Sequence, residues 1–276
     1  GHTDEKKRGE VLPCAFSLVK MKKENGMCSS EQISSEKTKD ESVVAEDLGF
    51  SRVIYQDKRL YRFTSDSVLL SRFVRAKTGD NVADFCAGCG IVAFHFYLLN
   101  GGAEEPQNKK RLRFTLFELQ KNLLSLAVRT ARENNFDCFS FEEGRLQDLP
   151  ARYAGKFSLV LCNPPYEKGG VDGGVYEKAI CRKEITITFP EIVVAAKKAL
   201  KFGGRFAFVQ RADRSAEAIA ILGKNGFAVK RMRFVAAKAE EKPYLVMIEA
   251  VLGGKEGTEV LPVLVNEAKQ GGKTGA

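Results

Sequence analysis

Leu159-Val160-Leu161-Cys162-Asn163-Pro164-Pro165-Tyr166 passes directly from an apolar run to an amide, two prolines and an aromatic ring. The apolar half reads as a short buried strand bounded by turn chemistry. Neither proline can donate a backbone hydrogen bond, and both have a fixed φ, so the strand must stop there in a stiff turn. In open α/β sheets, the ends of buried strands are where ligands bind and chemistry is placed.

Working outward from this run, the chain alternates between strand and helix patterns. Upstream, Val82 to Cys86 reads as a strand and Ile91 to Leu99 as a nearly all-apolar helix. A polar loop follows from Gly101 to Lys110. Arg113 to Glu118 is a second strand, followed by a helix with Leu119, Leu123, Leu126 and Ala127 on one face. Cys138 to Phe141 forms a third strand, and Phe157 to Cys162, the opening run, a fourth. Downstream, the glycine-rich stretch Gly169 to Gly174 precedes a long helical stretch ending near Lys201. Gly203-Gly204 turns that helix into the strand Arg205 to Val209. A helix over Ala216 to Leu222 ends at Gly226, and Val229 to Val235 and Tyr244 to Val251 close as two strands. This alternation predicts an α/β fold, a mostly parallel sheet with helices on both faces. The last strand, reached without an intervening helix, is expected to run antiparallel.

The segment ahead of the alternating region divides in two. Residues 1–40 are rich in Lys, Glu, Ser and Thr, and Met27 to Asp40 has no sustained apolar period. They read as a flexible extension in which Val11 to Met21 could form a short helix. Order should begin near Val43, with a strand rhythm over Leu48 to Arg62 and a polar turn at Gln56 to Arg59. Ser65-Asp66 reads as a helix start ahead of Val68, Leu69, Leu70, Phe73 and Val74, and the helix ends around Gly79. The expected organisation is an extension at 1–40, one domain over 41–268 and a flexible tail at 269–276.

Two strand ends carry candidate chemistry. Asp84-Phe85-Cys86-Ala87-Gly88-Cys89-Gly90 lies between the first sheet strand and its helix. Glycines there let the backbone approach a ligand closely, and the helix start supplies free amides. Glu118 ends the next strand, where a carboxylate can accept both hydroxyls of a ribose. The loop is DxxxGxG rather than GxGxxG, and Asp84 would repel a pyrophosphate. That pattern favours a ligand with a ribose and a cationic portion, such as S-adenosylmethionine. Asp148 is a candidate for the adenine amino group, and equally for a helix cap before Pro150. At the opening run, the Asn163 side-chain oxygen and the Pro164 carbonyl can accept from the two N–H bonds of a planar amine. They would aim its lone pair at an electrophilic methyl, held in advance by Pro164 and Pro165. Tyr166 can stack on a flat base.

Bulk properties narrow the partners. The formal charge is +9 over 276 residues. The 1–40 segment contributes little of it, which suggests a polyanionic partner for the rest. The seven cysteines are odd in number and mostly placed in apolar strands, which suggests reduced thiols in a cytoplasmic protein. Cys86 and Cys89 have CxxC spacing, but the glycine-loop reading explains them better than a metal or redox pair. No apolar run is long enough for a membrane span.

The order Asp84 to Gly90, Glu118, Asp148 and Asn163-Pro164-Pro165-Tyr166 resembles the class I S-adenosylmethionine-dependent methyltransferases that methylate amino groups. Tyr61-Arg62-Phe63-Thr64-Ser65-Asp66-Ser67-Val68-Leu69-Leu70 is similar, more narrowly, to the pre-core segment of the bacterial tRNA1(Val) adenine-37 N6-methyltransferase family. Arg182-Lys183-Glu184 and Lys242-Pro243 also match that family's pattern. The resemblance implies a Rossmann-like, seven-stranded sheet with a reversed last strand. It implies that S-adenosylmethionine is bound by Asp84, Cys86, Gly88, Gly90, Glu118, Leu119, Asp148 and Asn163, with Arg62, Phe63 and Asp66 closing over it. Asn163, Pro164, Pro165 and Tyr166 would form the catalytic, base-holding set, and tRNA would be the partner of a metal-free monomer or weak dimer. Lys168, Arg182, Lys183, Arg211 and Arg214 are candidates to grip phosphates. The Asn-Pro-Pro-Tyr run alone is shared with DNA adenine, rRNA guanine N2 and protein glutamine N5 methylation. A binding protein on an inactive scaffold is the reading from another class.

Overall fold

The computed structural model describes residues 42–59, 65–104, 107–164 and 187–266. The 1–40 extension, the 169–174 glycine stretch and the 269–276 tail lie outside them. Among the described residues no helix is long and apolar enough to cross a membrane.

The described residues open with a hairpin rather than the single expected strand. Strands β1 (Val43–Gly49) and β2 (Arg52–Asp57) pair antiparallel. The reversal falls at Phe50-Ser51, which with Gly49 take positive φ. Gln56 and Asp57, read as turn residues, instead complete β2 opposite Val44 and Val43. Their polarity is satisfied in place: the Gln56 amide donates to Glu46 Oε2 at 2.7 Å. Asp57 accepts from the Arg59 guanidinium, which holds its carboxyl down at about 2. The hairpin rests on helix α3 (Lys121–Glu133) and the Asn134 that follows it. The Tyr55 and Val53 amides donate to Thr130 Oγ1 and Asn134 Oδ1, and Asn134 Nδ2 returns a bond to the Val53 carbonyl.

The main sheet contains β3 (Asn81–Phe85), β4 (Arg113–Glu118), β5 (Phe139–Glu143), β6 (Phe157–Cys162), β7 (Leu200–Arg211), β8 (Phe227–Ala236) and β9 (Leu245–Leu252). These are the expected seven strands; two dipeptide strands, β10 (Glu259–Val260) and β11 (Leu264–Val265), add to the β8 edge and extend the sheet to nine. The order is β10-β8-β9-β7-β6-β3-β4-β5. Every pair is parallel except those of β9, which runs antiparallel to both β7 and β8. The reversed last strand is thus as expected.

Helices α1 (Ser65–Phe73), α2 (Ile91–Tyr97) and α3 lie with one apolar cluster; α4 (Phe189–Ala199) and α5 (Ser215–Lys224) lie with another. Strand β6 divides its side chains between them, Leu159 and Leu161 to the first, Val160 and Cys162 to the second. That alternation is the period-two geometry of a strand covered on both faces.

Three boundaries differ from expectation. Helix α1 stops at Phe73 rather than Gly79, and Asp80 then accepts the Lys77 amide in a separate turn. Leu119 precedes α3 instead of lying on its buried face; Leu123, Leu126 and Ala127 are buried there as expected. Helix α4 begins at a capping box, in which Thr188 Oγ1 accepts the Glu191 amide and Glu191 Oε2 accepts the Thr188 amide. It ends at Ala199, so Gly203-Gly204 is an irregularity inside β7. The pairing with β6 jumps there from Phe157↔Leu200 to Leu159↔Arg205, with Gly203 at φ +76°.

At the N-terminal end of the strands, a buried ion network ties four segments together. Arg205 donates to Asp80 Oδ2 at 2.7 Å, to the Arg75 carbonyl at 2.7 Å and to Glu249 Oε2 at 3.4 Å. Ser158 completes Asp80 through a 2.7 Å bond to Oδ1. The opposite end of the sheet is where the candidate chemistry gathers.

Candidate active site

The sheet order turns outward in both directions from the β3–β6 pair, which makes their C-terminal ends the switch point of the fold. Phe85 and Cys162 are paired across it, so Cys86 and Asn163 leave the sheet side by side. The two motifs that the sequence singles out, 77 residues apart at these positions, therefore face one crevice.

The first half of the site is built from backbone. Cys86, Gly88 and Gly90 all take positive φ as the chain turns from β3 into α2. The Ala87 amide donates to the Phe117 carbonyl at 3.0 Å, which fixes the turn to β4. At Gly90 a side chain is excluded twice, by φ +89° and by Phe94, whose ring edge would lie 2.5 Å from a Cβ. At Gly88 a Cβ would meet nothing, leaving the loop open on that side.

Two carboxyls line this loop. Glu118 Oε2 accepts the Gly88 amide and Oε1 the Gln120 amide, each at 2.8 Å. Burial raises its pKa, and those two amides with that of Leu119 oppose the rise. Leu119 itself is half-buried. Asp84 is 1% exposed. Its Oδ2 accepts the Ala93 amide from the first turn of α2 at 3.2 Å, whereas its Oδ1 is buried with no hydrogen-bond partner among the described residues. Burial, reinforced by the charge of Glu118, pushes its pKa up to about 8 against the pull of the Ala93 amide. An unpartnered acceptor of this kind suits a cationic ligand group, and the open glycine loop beside it suits close backbone approach. Both features fit an adenosyl donor carrying an ammonium and a sulfonium.

The CxxC pair is not a unit. Cys89 is buried, and desolvation pushes its thiol up to about 12. The Cys86 thiol contacts that of Cys162 on the adjacent strand instead, and Cys162 is raised first by burial and then by that contact. Among the described residues no His, Cys, Asp or Glu cluster is arranged to hold a metal.

The second half begins at Asn163. Its Nδ2 donates to Ser67 Oγ at 2.6 Å, and its Oδ1 is buried with no partner among the described residues. Pro164 is buried behind it. Pro165 and Tyr166 lie outside the described residues, as do Arg62 and Phe63.

Asp66, expected to close over a donor, is 4% exposed and accepts from Tyr244 Oη at 3.2 Å; Asn266 Nδ2 donates to the same hydroxyl at 2.9 Å. Burial pushes the Tyr244 phenol up to about 12. Asp148 is exposed in the turn after β5, and the following turn, which starts from Pro150, has no side-chain cap; the capping alternative is not realised.

Of the five basic residues expected to meet phosphates, Lys168, Arg182 and Lys183 lie outside the described residues. Arg211, at the end of β7, forks onto Asp213, and Arg214 donates to Glu217 Oε2 at 2.9 Å. Ser67, Tyr244 and Asn266 were missed by the sequence reading. For Ser67 the available signals are its place in the Tyr61 to Leu70 segment and its hydroxyl just ahead of the apolar run Val68-Leu69-Leu70.

The family model described as methyltransferase small domain matches residues 62–242. A tRNA1(Val) (adenine(37)-N6)-methyltransferase from Actinobacillus pleuropneumoniae is 25% identical over 205 residues, covering 69% of this chain and 82% of that protein. One of the same name from Pseudoalteromonas translucida is 22% identical over 165 residues, covering 60% of this chain and 66% of that protein. In fold, the chain is similar to the crystal structure of a predicted O-methyltransferase from Agrobacterium tumefaciens. That match has a TM-score of 0.54 at 19% identity and covers 72% of this chain and 86% of that one.

Proposed function

This chain belongs to the methyltransferase small domain family, and from that premise we propose that it moves a methyl group from S-adenosylmethionine to adenine N6 in a tRNA anticodon loop. The observation that carries the amine half of this reading is the buried Asn163 Oδ1 at the strand-end crevice, which has no hydrogen-bond partner among the described residues. A buried carbonyl oxygen without a donor costs free energy unless something fills it. The N–H of a bound exocyclic amine is the group of matching polarity and reach.

S-adenosylmethionine, when bound, supplies an electrophilic methyl on a positively charged sulfur. Transfer of that methyl would form the new N–C bond as the C–S bond breaks with its electron pair passing to sulfur, and the nitrogen would then lose a proton. An aromatic amine is a weak nucleophile because its lone pair is shared with the ring. Asn163 Oδ1, with the Pro164 carbonyl as second acceptor, holds the N–H bonds so that the lone pair points at the methyl. This is positioning catalysis, and needs no strong base. Asp84, whose Oδ1 has no partner among the described residues, would face the cationic donor, and Glu118 would have lone pairs left for ribose hydroxyls beyond the two amides it holds.

The choice of tRNA rests on the net charge of +9 and on the names of the relatives. An unstacked loop base also presents its face and amino edge together, as such a crevice requires. The test is transfer of label from methyl-labelled S-adenosylmethionine to unmodified tRNA, beside rRNA, DNA and a release factor as competitors. Label in tRNA alone is the expected outcome. Label only in another acceptor would keep the chemistry and replace the substrate.

A further inference from the structure

We infer that Ser67 is the positioning residue for Asn163, holding the amide by its nitrogen end so that its oxygen faces the acceptor amine. The inference rests on the amine-methylating reading of the crevice. A primary amide has two ends of nearly equal shape and opposite polarity. Turned over, it would set its own N–H bonds against those of an incoming amine, and the lone pair would lose its guide. Rigid prolines fix the backbone at this point but leave the side-chain amide free to rotate about its last bond.

Ser67 removes that freedom. Its hydroxyl accepts from Asn163 Nδ2 at 2.6 Å, a contact between residues 96 apart in the chain. Ser67 is 1% exposed, so water does not compete for the bond. As the third residue of α1 it lies past the capping position, so it is not explained as a helix cap. A buried serine in a helix also has lower intrinsic propensity than alanine. A hydroxyl retained there needs a partner, and among the described residues the bond to Asn163 is the one it makes.

The residue before it fixes the helix end from the other side. Asp66 accepts from Tyr244, which in turn accepts from Asn266, tying the first turn of α1 to the start of β9. The result is a hydroxyl on a clamped helix turn, an amide held at one end, and at the other an oxygen with no partner among the described residues.

The test is kinetic. Ser67→Ala is expected to lower kcat by about 10- to 100-fold, the usual range when a supporting hydrogen bond to a catalytic group is lost. KM and the calorimetric affinity for S-adenosylmethionine should stay within about twofold, and Ser67→Thr, which restores the hydroxyl, should recover most of the turnover. In an Asn163→Ala background, Ser67→Ala should have no further effect. Turnover of Ser67→Ala within twofold of wild type would overturn the inference, as would an equal loss in the Asn163→Ala background. A wild-type protein that methylates none of the offered acceptors overturns the functional reading by itself. Ser67 is then still tested by a thermal double-mutant cycle, where non-additivity of Ser67→Ala and Asn163→Ala supports the bond and strict additivity removes it.

Discussion

Asp84 concentrates the electrostatics of the site in one carboxyl. Its native pKa, pushed up to about 8, lies well above the ordinary 3.8 it regains on unfolding. The folded state therefore holds a proton that the unfolded state has lost throughout that interval. Stability should fall as pH rises from about 4 to about 8 and level off beyond. Denaturant midpoints across this range should show the slope in wild type, and a flatter one in Asp84→Asn. A cation placed against the carboxyl favours its ionised form, so S-adenosylmethionine binding near pH 7 should release a proton. Calorimetry in two buffers of different ionisation enthalpy measures that release; none would remove Asp84 from the donor site. Asp84, Glu118 and Asn163 stand out in the sequence because each lies within one residue of the end of a mostly apolar strand, where a polar side chain is conspicuous. Ser67 does not, because its meaning lies in a partner 96 positions away.

Among elements, the strands buried on both faces were the easiest to read. β4 and β6 have the expected boundaries, because a short, mostly apolar run bounded by polar residues admits few alternatives at that length. The hairpin was harder: Gln56 looks like a turn residue until its cross-strand bond to Glu46 is seen. β10 and β11 are dipeptides with no period to detect. The network of Arg205, Asp80 and Glu249 is likewise a tertiary fact, invisible to local pattern. Because all three side chains are buried, Arg205→Met should strand two carboxylates and cost about 3–5 kcal/mol in urea unfolding. Replacing all three with apolar residues of similar size should recover much of that loss, since the unpaired charges disappear with their partner.

For the whole molecule, the relevant quantity is charge. The excess of +9 favours association with a polyanion, although two of the cations nearest the β7 end are already engaged by Asp213 and Glu217. RNA affinity should fall steeply with ionic strength, with log K linear in log salt and a slope that counts phosphate contacts. Titrations at several salt concentrations measure it, and a flat dependence would point to an acceptor that is not a nucleic acid. The central claim is that the bare oxygen of Asn163 serves an adenine amino group. Mass spectrometry of nucleosides from unmodified tRNA, incubated with S-adenosylmethionine and either wild type or Asn163→Ala, tests it most directly. N6-methyladenosine should accumulate with wild type and fall at least about 100-fold with the variant, which should still bind the donor. Competent tRNA that gains no N6-methyladenosine, or gains it equally with Asn163→Ala, would contradict the account.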